Sequence, residues 1–420
     1  MALDTSAAPA AQLAEDATER FLRYVRIDTQ SDEDSESYPS TAKQLDLLRL
    51  LVEELIEIGL DGASIDENGY VTATLPATVE HDVPAIAFFA HVDTAREVSG
   101  AGVNPQRVRY GGGEIVLGES GQAIRPGESP ELEHHVGHEL ITTDGTTLLG
   151  ADDKAGIAEI MAAVAYMQAH PEIPHGVVKV AFNPDEEVGR GVIHFPADSF
   201  GVTAAYTVDG STAGEIHTET FSGAQVRMTI RGRAIHPGWG KGELVNAIKL
   251  AAAVVERLPK DSLSPETTDE RQGYVHPEAI SGDSAAVELR FIVRDFENDL
   301  LERHVDLLRS IAEEVAATDP RCSIDVESRI EYRNTRDTLG QHPKIVANLE
   351  EAVRRVGLEP KRTAIRGGTD GSALTEMGLP TPNIFTGGHE AHSEREWVCV
   401  EDLGLTAATI VELARIWADA

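Results

Sequence analysis

Three short runs, Val83–Ala90, Val177–Phe182 and Ala204–Val208, are almost unbroken in apolar character and too short for helices. Runs of this kind belong to strands buried on both faces, the situation of a parallel sheet covered by helices. Between two of them lies "DKAGIAEIMAAVAYMQAH", in which Ile157, Ile160, Met161 and Val164 recur at helical spacing until a His-Pro pair ends the pattern. Strand, helix, strand in this order predicts an α/β fold built on a mostly parallel sheet. Ahead of it, "TERFLRYVRI" and "STAKQLDLLRLLVEELIEIGL" read as helices. The second has Ser40 placed to cap it and Gly59 to stop it.

From about residue 214 the grammar changes. "AQVRMTIRG" alternates like a half-buried strand, "ELVNAIKLAAAVVERL" is helical, and "YVHPEAISG" and "SAAVELRFIVRDF" are strands. A long helix, "NDLLERHVDLLRSIAEEVAA", and a last strand, "CSIDVESRIEY", complete the stretch. The order β-α-β-β-α-β is that of the ferredoxin-like split unit. It predicts a separate domain inserted at residues 214–330. Residues 1–213 and 331–420 then form one α/β domain around it, resumed through "KIVANLEEAVRRVGL" and "PTPNIFTGG".

The residues at the end of each apolar run carry the chemistry. "AIAFFA" leads to His91 and Asp93, "TTLLGA" to Asp152 and Asp153, and "VVKVAFNP" to Asp185, Glu186 and Glu187. "AAYTV" leads to Asp209, and "PNIF" to a loop with His389 and His392. In open α/β sheets ligands bind outside the carboxyl ends of the strands. Several carboxylates gathered there cannot all stay ionised without compensating charge. Cations supply it, and a mixed imidazole and carboxylate set suits zinc better than magnesium or calcium. Asp152, just ahead of a helix, is the natural carboxylate to share between two ions, although alone it would read as an ordinary cap. Asp93, two residues after His91, is spaced to orient that imidazole. The "HHVGH" at His134–His138 lies in a long polar insertion away from any strand end and reads as a solvated loop.

Composition narrows the class further. The 71 acidic against 36 basic residues give a net charge of −35, which repels nucleic acid and anionic membranes alike. Such a surface aids solubility and suits high salt. Cys322 and Cys399 stand far apart with no C-x-x-C, which argues against a disulfide framework or a cysteine zinc site; they are expected simply to pack. The opening "MALDTSAAPAAQLAEDATER" has acids where a signal peptide has a basic patch, and no apolar run approaches the roughly 20 residues that span a bilayer. A cytoplasmic protein is expected.

Assembled, these motifs resemble the di-zinc exopeptidases related to carboxypeptidase G and aminoacylase, and among them most closely the tripeptide aminopeptidases. The resemblance rests on "HVDT", "LITTDGTTLLGADDKAGIAEIM", "PHGVVKVAFNPDEEVGRG", "AYTVDG", "IHPGWGKGELVNA", "FIVRDF" and "IRGGTDGSALTEMGLPTPNIFTGG", from about Phe21 almost to the end. It implies that His91 and Asp209 hold one zinc ion, Glu187 and His392 the other, and that Asp152 bridges them. It also implies that Glu186 is the general base on the bridging water. The inserted domain would be a lid and dimerisation domain. From it His236, of the same or a partner subunit, would reach the scissile carbonyl, while Arg294 and Arg366 hold the substrate's polar end. The alternatives for these arginines are an ion pair of Arg294 with Asp295 or Glu297 and a loop contact of Arg366 with Asp370. The segment "GGHEAHSERE" departs from the family's pattern. His392 keeps the family's spacing to Glu396, but His389 occupies a position that is usually aromatic and is placed to compete as ligand. The same site would also serve a dipeptidase, an N-acyl-amino-acid hydrolase or a carboxypeptidase, and a catalytically dead scaffold is the reading from another class.

Overall fold

The computed structural model of the chain describes residues 9–419. These form two compact units, one of residues 9–218, 338–363 and 369–419, the other of Glu219–Asp337 and Ala364–Gly368.

The first unit is built on an eight-stranded sheet. Its order is Asp61–Ile65, Val71–Leu75, Val178–Asn183, Ile86–His91, Ala204–Val208, Asn383–Ile384, Glu215–Thr220, Lys361–Ile365. The four central strands run parallel, with His91 opposite Asn183 and Val208 opposite Ile384. Val71–Leu75 and Glu215–Thr220, on either side of them, pair antiparallel, as Asp61–Ile65 does with Val71–Leu75. The sheet is therefore mixed, and the expected mostly parallel arrangement holds only at its centre. Only the central strands read as continuous apolar runs, because only they are covered on both faces. Their side chains alternate between two cores. Phe88, Val180 and Tyr206 join the core that contains the helices, and Phe89, Ala181 and Ala205 join a second cluster with Phe195 and Leu374.

The helix Ala10–Tyr24 starts well before the expected "TERF", burying Leu13 and Ala17 as well as Phe21. Residues 1–8 lie outside the described residues. In the helix Gln44–Ile58, Gly59 adopts φ 93° and closes the C-terminus as expected. Ser40 does not cap that helix; Lys43 stands at the cap position. Ser40 instead bonds to Asp185, 145 residues away.

The helix Ala151–Ala169 packs flush against the end of the Ala204–Val208 strand, and Gly156 makes that possible. A Cβ there would lie 1.9 Å from the Val208 carbonyl oxygen and 2.5 Å from Asp153 Oδ1. A backbone carbonyl has nowhere to go, so Gly156→Ala is expected to destabilise the protein by about 3 kcal/mol or more, the upper range for overpacking. A denaturant midpoint unchanged from the parent would show that helix and strand are not locked together.

The insertion before residue 140 is more ordered than its polar sequence suggests. Gln106–Arg109, Glu139–Thr142, Trp397–Cys399 and Gly388–His389 form a four-stranded antiparallel sheet, and Ile115–Leu117 pairs with Gln122–Ile124. His135, expected in a solvated loop, is only 6% exposed, its ring 5.3 Å from that of buried Trp397. The polar sequence misled because the apolar partner comes from a segment more than 250 residues later.

The second unit has the element order β-α-β-β-α-β. Its antiparallel sheet runs Tyr274–Gly282, Ala286–Asp295, Ser222–Arg231, Ser323–Tyr332. Val226, Met228 and Ile230 point inward from Ser222–Arg231, with Arg227 outward. The helices Ala247–Glu256 and Asn298–Ala316 cover that inner face through Leu250, Val254, Leu308 and Val315. Asn246 caps the first of these, accepting from Ile248 N and Lys249 N.

Candidate metal centre

Parallel strands end on one edge, and this sheet brings its chemistry there. His91 ends one central strand, Asp209 follows Val208, and the Pro184–Glu187 loop follows Asn183. Asp152 and Asp153 precede the regular part of their helix; their backbones are non-helical, joined by a cis peptide.

Asp152 sits in the middle. Its Oδ1 lies 3.1 Å from His91 Nε2 and its Oδ2 lies 3.3 Å from His392 Nε2. Each oxygen thus faces a different histidine. His392 Nε2 is also 3.1 Å from Glu187 Oε2, and Asp209 Oδ1 is 4.0 Å from His91 Nε2. Donor atoms of His91, Asp152 and Glu187 lie within 4.8 Å of one another, and so do those of His91, Asp153 and Asp209.

A ring of supporting bonds holds these groups. Asp93, fully buried, lies with Oδ1 3.4 Å from His91 Nδ1. Its two oxygens also accept the backbone N–H groups of Glu186 (3.0 Å) and Glu187 (3.1 Å). One carboxylate therefore orients the imidazole and the neighbouring pair of acids together. Glu396 accepts from Leu149 N, Gly150 N and Asp152 N at 2.7, 2.7 and 3.0 Å, fixing the turn that carries Asp152. Asp185 anchors the acidic loop from behind. It accepts from Ser40 N and Gln44 Nε2, each at 2.7 Å, and from the Ser40 hydroxyl. Asp185 and His392 both hold φ of 61°, a left-handed backbone that costs a non-glycine residue about 1–3 kcal/mol and persists only where the surroundings enforce it.

Electrostatically the site carries a surplus of acid. Burial, with Asp152 beside it, pushes Glu187 up to about 7, and burial with Asp152 raises Asp209 well above the carboxylate range. Burial raises Glu186 likewise, reinforced by Asp370, Asp209 and Glu187. Asp152 stays low despite its burial, because His392 and His91 hold it there. In return Asp152 and Glu187 push His392 up to about 11. The residues fit cations. Oxygen and imidazole donors converge, their own negative charges repel one another, and Glu187 Oε1 and Asp153 Oδ1 are buried without any hydrogen-bond partner.

The structure thus brings together His91, Asp93, Asp152, Glu187, Asp209 and His392, with Glu186 on the same acidic loop. His389 takes another course. It pairs with Trp397 across the small sheet and stacks on its ring at 4.2 Å, and burial pulls its pKa down to about 3. His392 is the histidine that meets Asp152 and Glu187. Sequence reasoning named Asp153 beside Asp152 but gave it no role of its own; its Oδ2 accepts from His91 N at 3.2 Å. It named Asp370 only as an alternative contact for Arg366, whereas Asp370 accepts from Asn183 Nδ2 at 2.6 Å and burial pushes it up to about 7. The doubled "DD" was the available signal for the first.

His236, Arg294 and Arg366 belong to the second unit. His236 is exposed, beside Trp239, itself 73% exposed. Arg294 pairs with Glu331 at 3.2 Å and lies over the Tyr332 ring; it does not make the expected alternative pair with Asp295 or Glu297. Arg366 donates to the carbonyls of Glu270 and Gln272 at 2.8 and 3.0 Å and lies over the Phe221 ring.

Among the described residues, no helix is long and apolar enough to cross a membrane. Residues 137–416 match the profile described as Peptidase family M20/M25/M40. The chain is 47% identical over 407 residues to peptidase T of Geobacillus thermodenitrificans, covering 96% of this chain and 99% of that one. In structure it is similar to the aminopeptidase PepT from Bacillus cereus, with a TM-score of 0.72, 24% identity and coverage of 96% and 99%. It is also similar to a dinuclear metal binding peptidase of the M20 family from Bacillus subtilis, with a TM-score of 0.66, 15% identity and coverage of 98% and 99%. With a profile spanning two thirds of its length and a full-length relative near half identity, the chain belongs to peptidase family M20/M25/M40.

Proposed function

We propose that the chain is a tripeptide aminopeptidase, hydrolysing the N-terminal peptide bond of tripeptides at a centre of two zinc ions. His91, Asp152, Glu187, Asp209 and His392 would hold the ions, with Asp152 common to both. The observation that carries this reading is the placing of the two Asp152 oxygens, one toward His91 and the other toward His392 and Glu187. The near-identical length and 47% identity shared with peptidase T support the substrate class.

Bound metal supplies a Lewis acid and lowers the pKa of an attacking water. The protein does the rest. Glu186 would serve as the general base, taking a proton from the attacking water and handing it to the leaving amine. Asp93 keeps Glu186 and His91 in register by holding both segments at once.

The second unit, with its ferredoxin-like element order, is proposed as the lid and dimerisation domain. Ile280, 62% exposed on the edge strand Tyr274–Gly282, offers an apolar contact for a second copy. His236 Nδ1 accepts from Gly238 N, which leaves the Nε2 proton free to donate to a developing oxyanion. Arg294 and Arg366 are assigned to the polar end of the substrate. Two unpaired cysteines suit the reducing cytoplasm.

Hydrolysis of matched di-, tri- and tetrapeptides, with free and acylated N-termini, tests the reading. Free tripeptides should be cleaved best, by about tenfold or more, the effect of some 1.4 kcal/mol in transition-state binding. Chelation should abolish turnover. Equal rates on acylated and free peptides would sink the aminopeptidase assignment and favour an acylamino-acid hydrolase.

A further inference from the structure

A second cluster of metal-ligating side chains lies in the first unit and shares no residue with the centre around His91. His135 Nδ1 is 3.3 Å from His138 Nδ1, and His138 Nδ1 is 3.8 Å from Cys399 Sγ. All three donor atoms lie within 4.8 Å of one another. A tetrahedral zinc ion with bonds of about 2.0 Å to nitrogen and 2.3 Å to sulfur has edges of roughly 3.3 Å between nitrogens and roughly 3.6 Å from nitrogen to sulfur. The separations of 3.3 Å between the nitrogens and 3.8 Å from His138 to the sulfur match those two edges closely.

The cluster is built by the fold. The turn Pro130–His135 reverses through Gly137 at φ 96°, with His138 N donating to His135 O at 2.9 Å, so both imidazoles come to one side. The strand Glu139–Thr142 then pairs with Trp397–Cys399, setting Leu140 opposite Cys399 and delivering the thiol beside His138. Cys399 is fully buried and His135 nearly so.

An independent observation also points to a ligand. Asp402 is 4% exposed, and its Oδ2 is buried with no hydrogen-bond partner, 3.8 Å from His135 Nε2. An acid facing the far nitrogen of an imidazole, whose near nitrogen faces the cluster, is the arrangement that fixes the tautomer of a metal-bound histidine. Glu401 Oε2 lies 3.6 Å from Cys399 Sγ but accepts from Glu139 N at 3.1 Å, so it stands beside the cluster and not in it.

We propose that His135, His138 and Cys399 form a separate structural zinc site, completed by solvent. Binding a divalent ion deprotonates the Cys399 thiol, and the proton goes to solvent. The ion would staple the 130–138 turn to the start of the helix Val400–Ala418. It would thereby brace the small sheet whose edge strand, Gly388–His389, leads into His392.

Cobalt separates this site from the other, because a cobalt–thiolate bond gives a near-ultraviolet charge-transfer band and the carboxylate and imidazole set around His91 contains no sulfur. The full chain is stripped with chelator and titrated with Co²⁺. The band should appear in the parent, be absent in Cys399→Ser and be weakened or lost in His138→Ala; Cys322 is present in all three. Zinc content by mass spectrometry should fall by one ion per chain in both variants. No band in the parent, an equal band in Cys399→Ser, or unchanged zinc in folded His138→Ala would each overturn the proposal. His138 is half-exposed, so that variant serves where the buried Cys399→Ser change prevents folding. A chain that bound nothing at His91 would still give the band, so this test stands apart from the peptidase reading.

Discussion

In Glu186→Gln, turnover of a free tripeptide is expected to fall by about 10²- to 10⁴-fold, the span contributed by a positioned general base. Metal content and melting temperature should be held. The separation comes from how the residue is tied down. Its backbone N–H is gripped by Asp93 Oδ1 at 3.0 Å, a bond that the amide side chain leaves intact. Glu187, the neighbour that meets His392, is gripped by the other oxygen of the same carboxylate. Gln keeps the shape and volume of Glu but cannot accept a proton from the attacking water. The loss should therefore appear in kcat with KM little changed, the mark of an interaction made only in the transition state. Loss of metal together with activity would recast Glu186 as a ligand. Near-normal turnover with metal in place would remove it from the mechanism.

The pair "EE" shows what was legible in sequence and what was not. Adjacent residues on a strand face opposite ways, so two neighbouring acids past a strand end suggest two tasks. In the structure both are steered by Asp93, 93 and 94 residues earlier. The convergence on one edge could be read from local pattern, since continuous apolar runs mark buried strands and the residues just past their ends emerge together. His91 and Asp209 needed nothing more. Asp185 was unreadable, because its partners Ser40 and Gln44 lie 145 and 141 residues away and no periodicity encodes that pairing. For the same reason Ser40 looked like a helix cap: a serine before an apolar helix satisfies the local rule, while tertiary contact assigns it elsewhere. The buried state of His135 depends on Trp397, which pairs with Thr142 from the far end of the chain. The flanking antiparallel strands failed differently. Asp61–Ile65 is half-exposed, so it lacks the apolar run by which the central strands announce themselves.

The strongest test of the centre compares neighbours, Asp152→Asn and Asp153→Asn. Both carboxylates are close to His91, yet the geometry gives them unequal reach. Asp152 places one oxygen 3.1 Å from the His91 ring and the other 3.3 Å from the His392 ring, so it stands between the two halves of the donor set. Asp153 uses Oδ2 on the backbone N–H of His91 at 3.2 Å and groups only with His91 and Asp209. An amide has one oxygen and an NH₂ that repels cations, so it cannot serve both sides. Asp152→Asn is therefore expected to weaken metal binding at both halves and bring hydrolysis to background. Asp153→Asn should disturb chiefly the His91 half, by about 10- to 100-fold in affinity, the usual effect of a group that supports a ligand. Metal titration of the chelator-stripped variants reads the difference directly. If Asp152→Asn kept both ions, or lost no more than Asp153→Asn, the shared role of Asp152 would be wrong. The two halves of the centre would then have to be held independently, His91 with Asp209 on one side and Glu187 with His392 on the other.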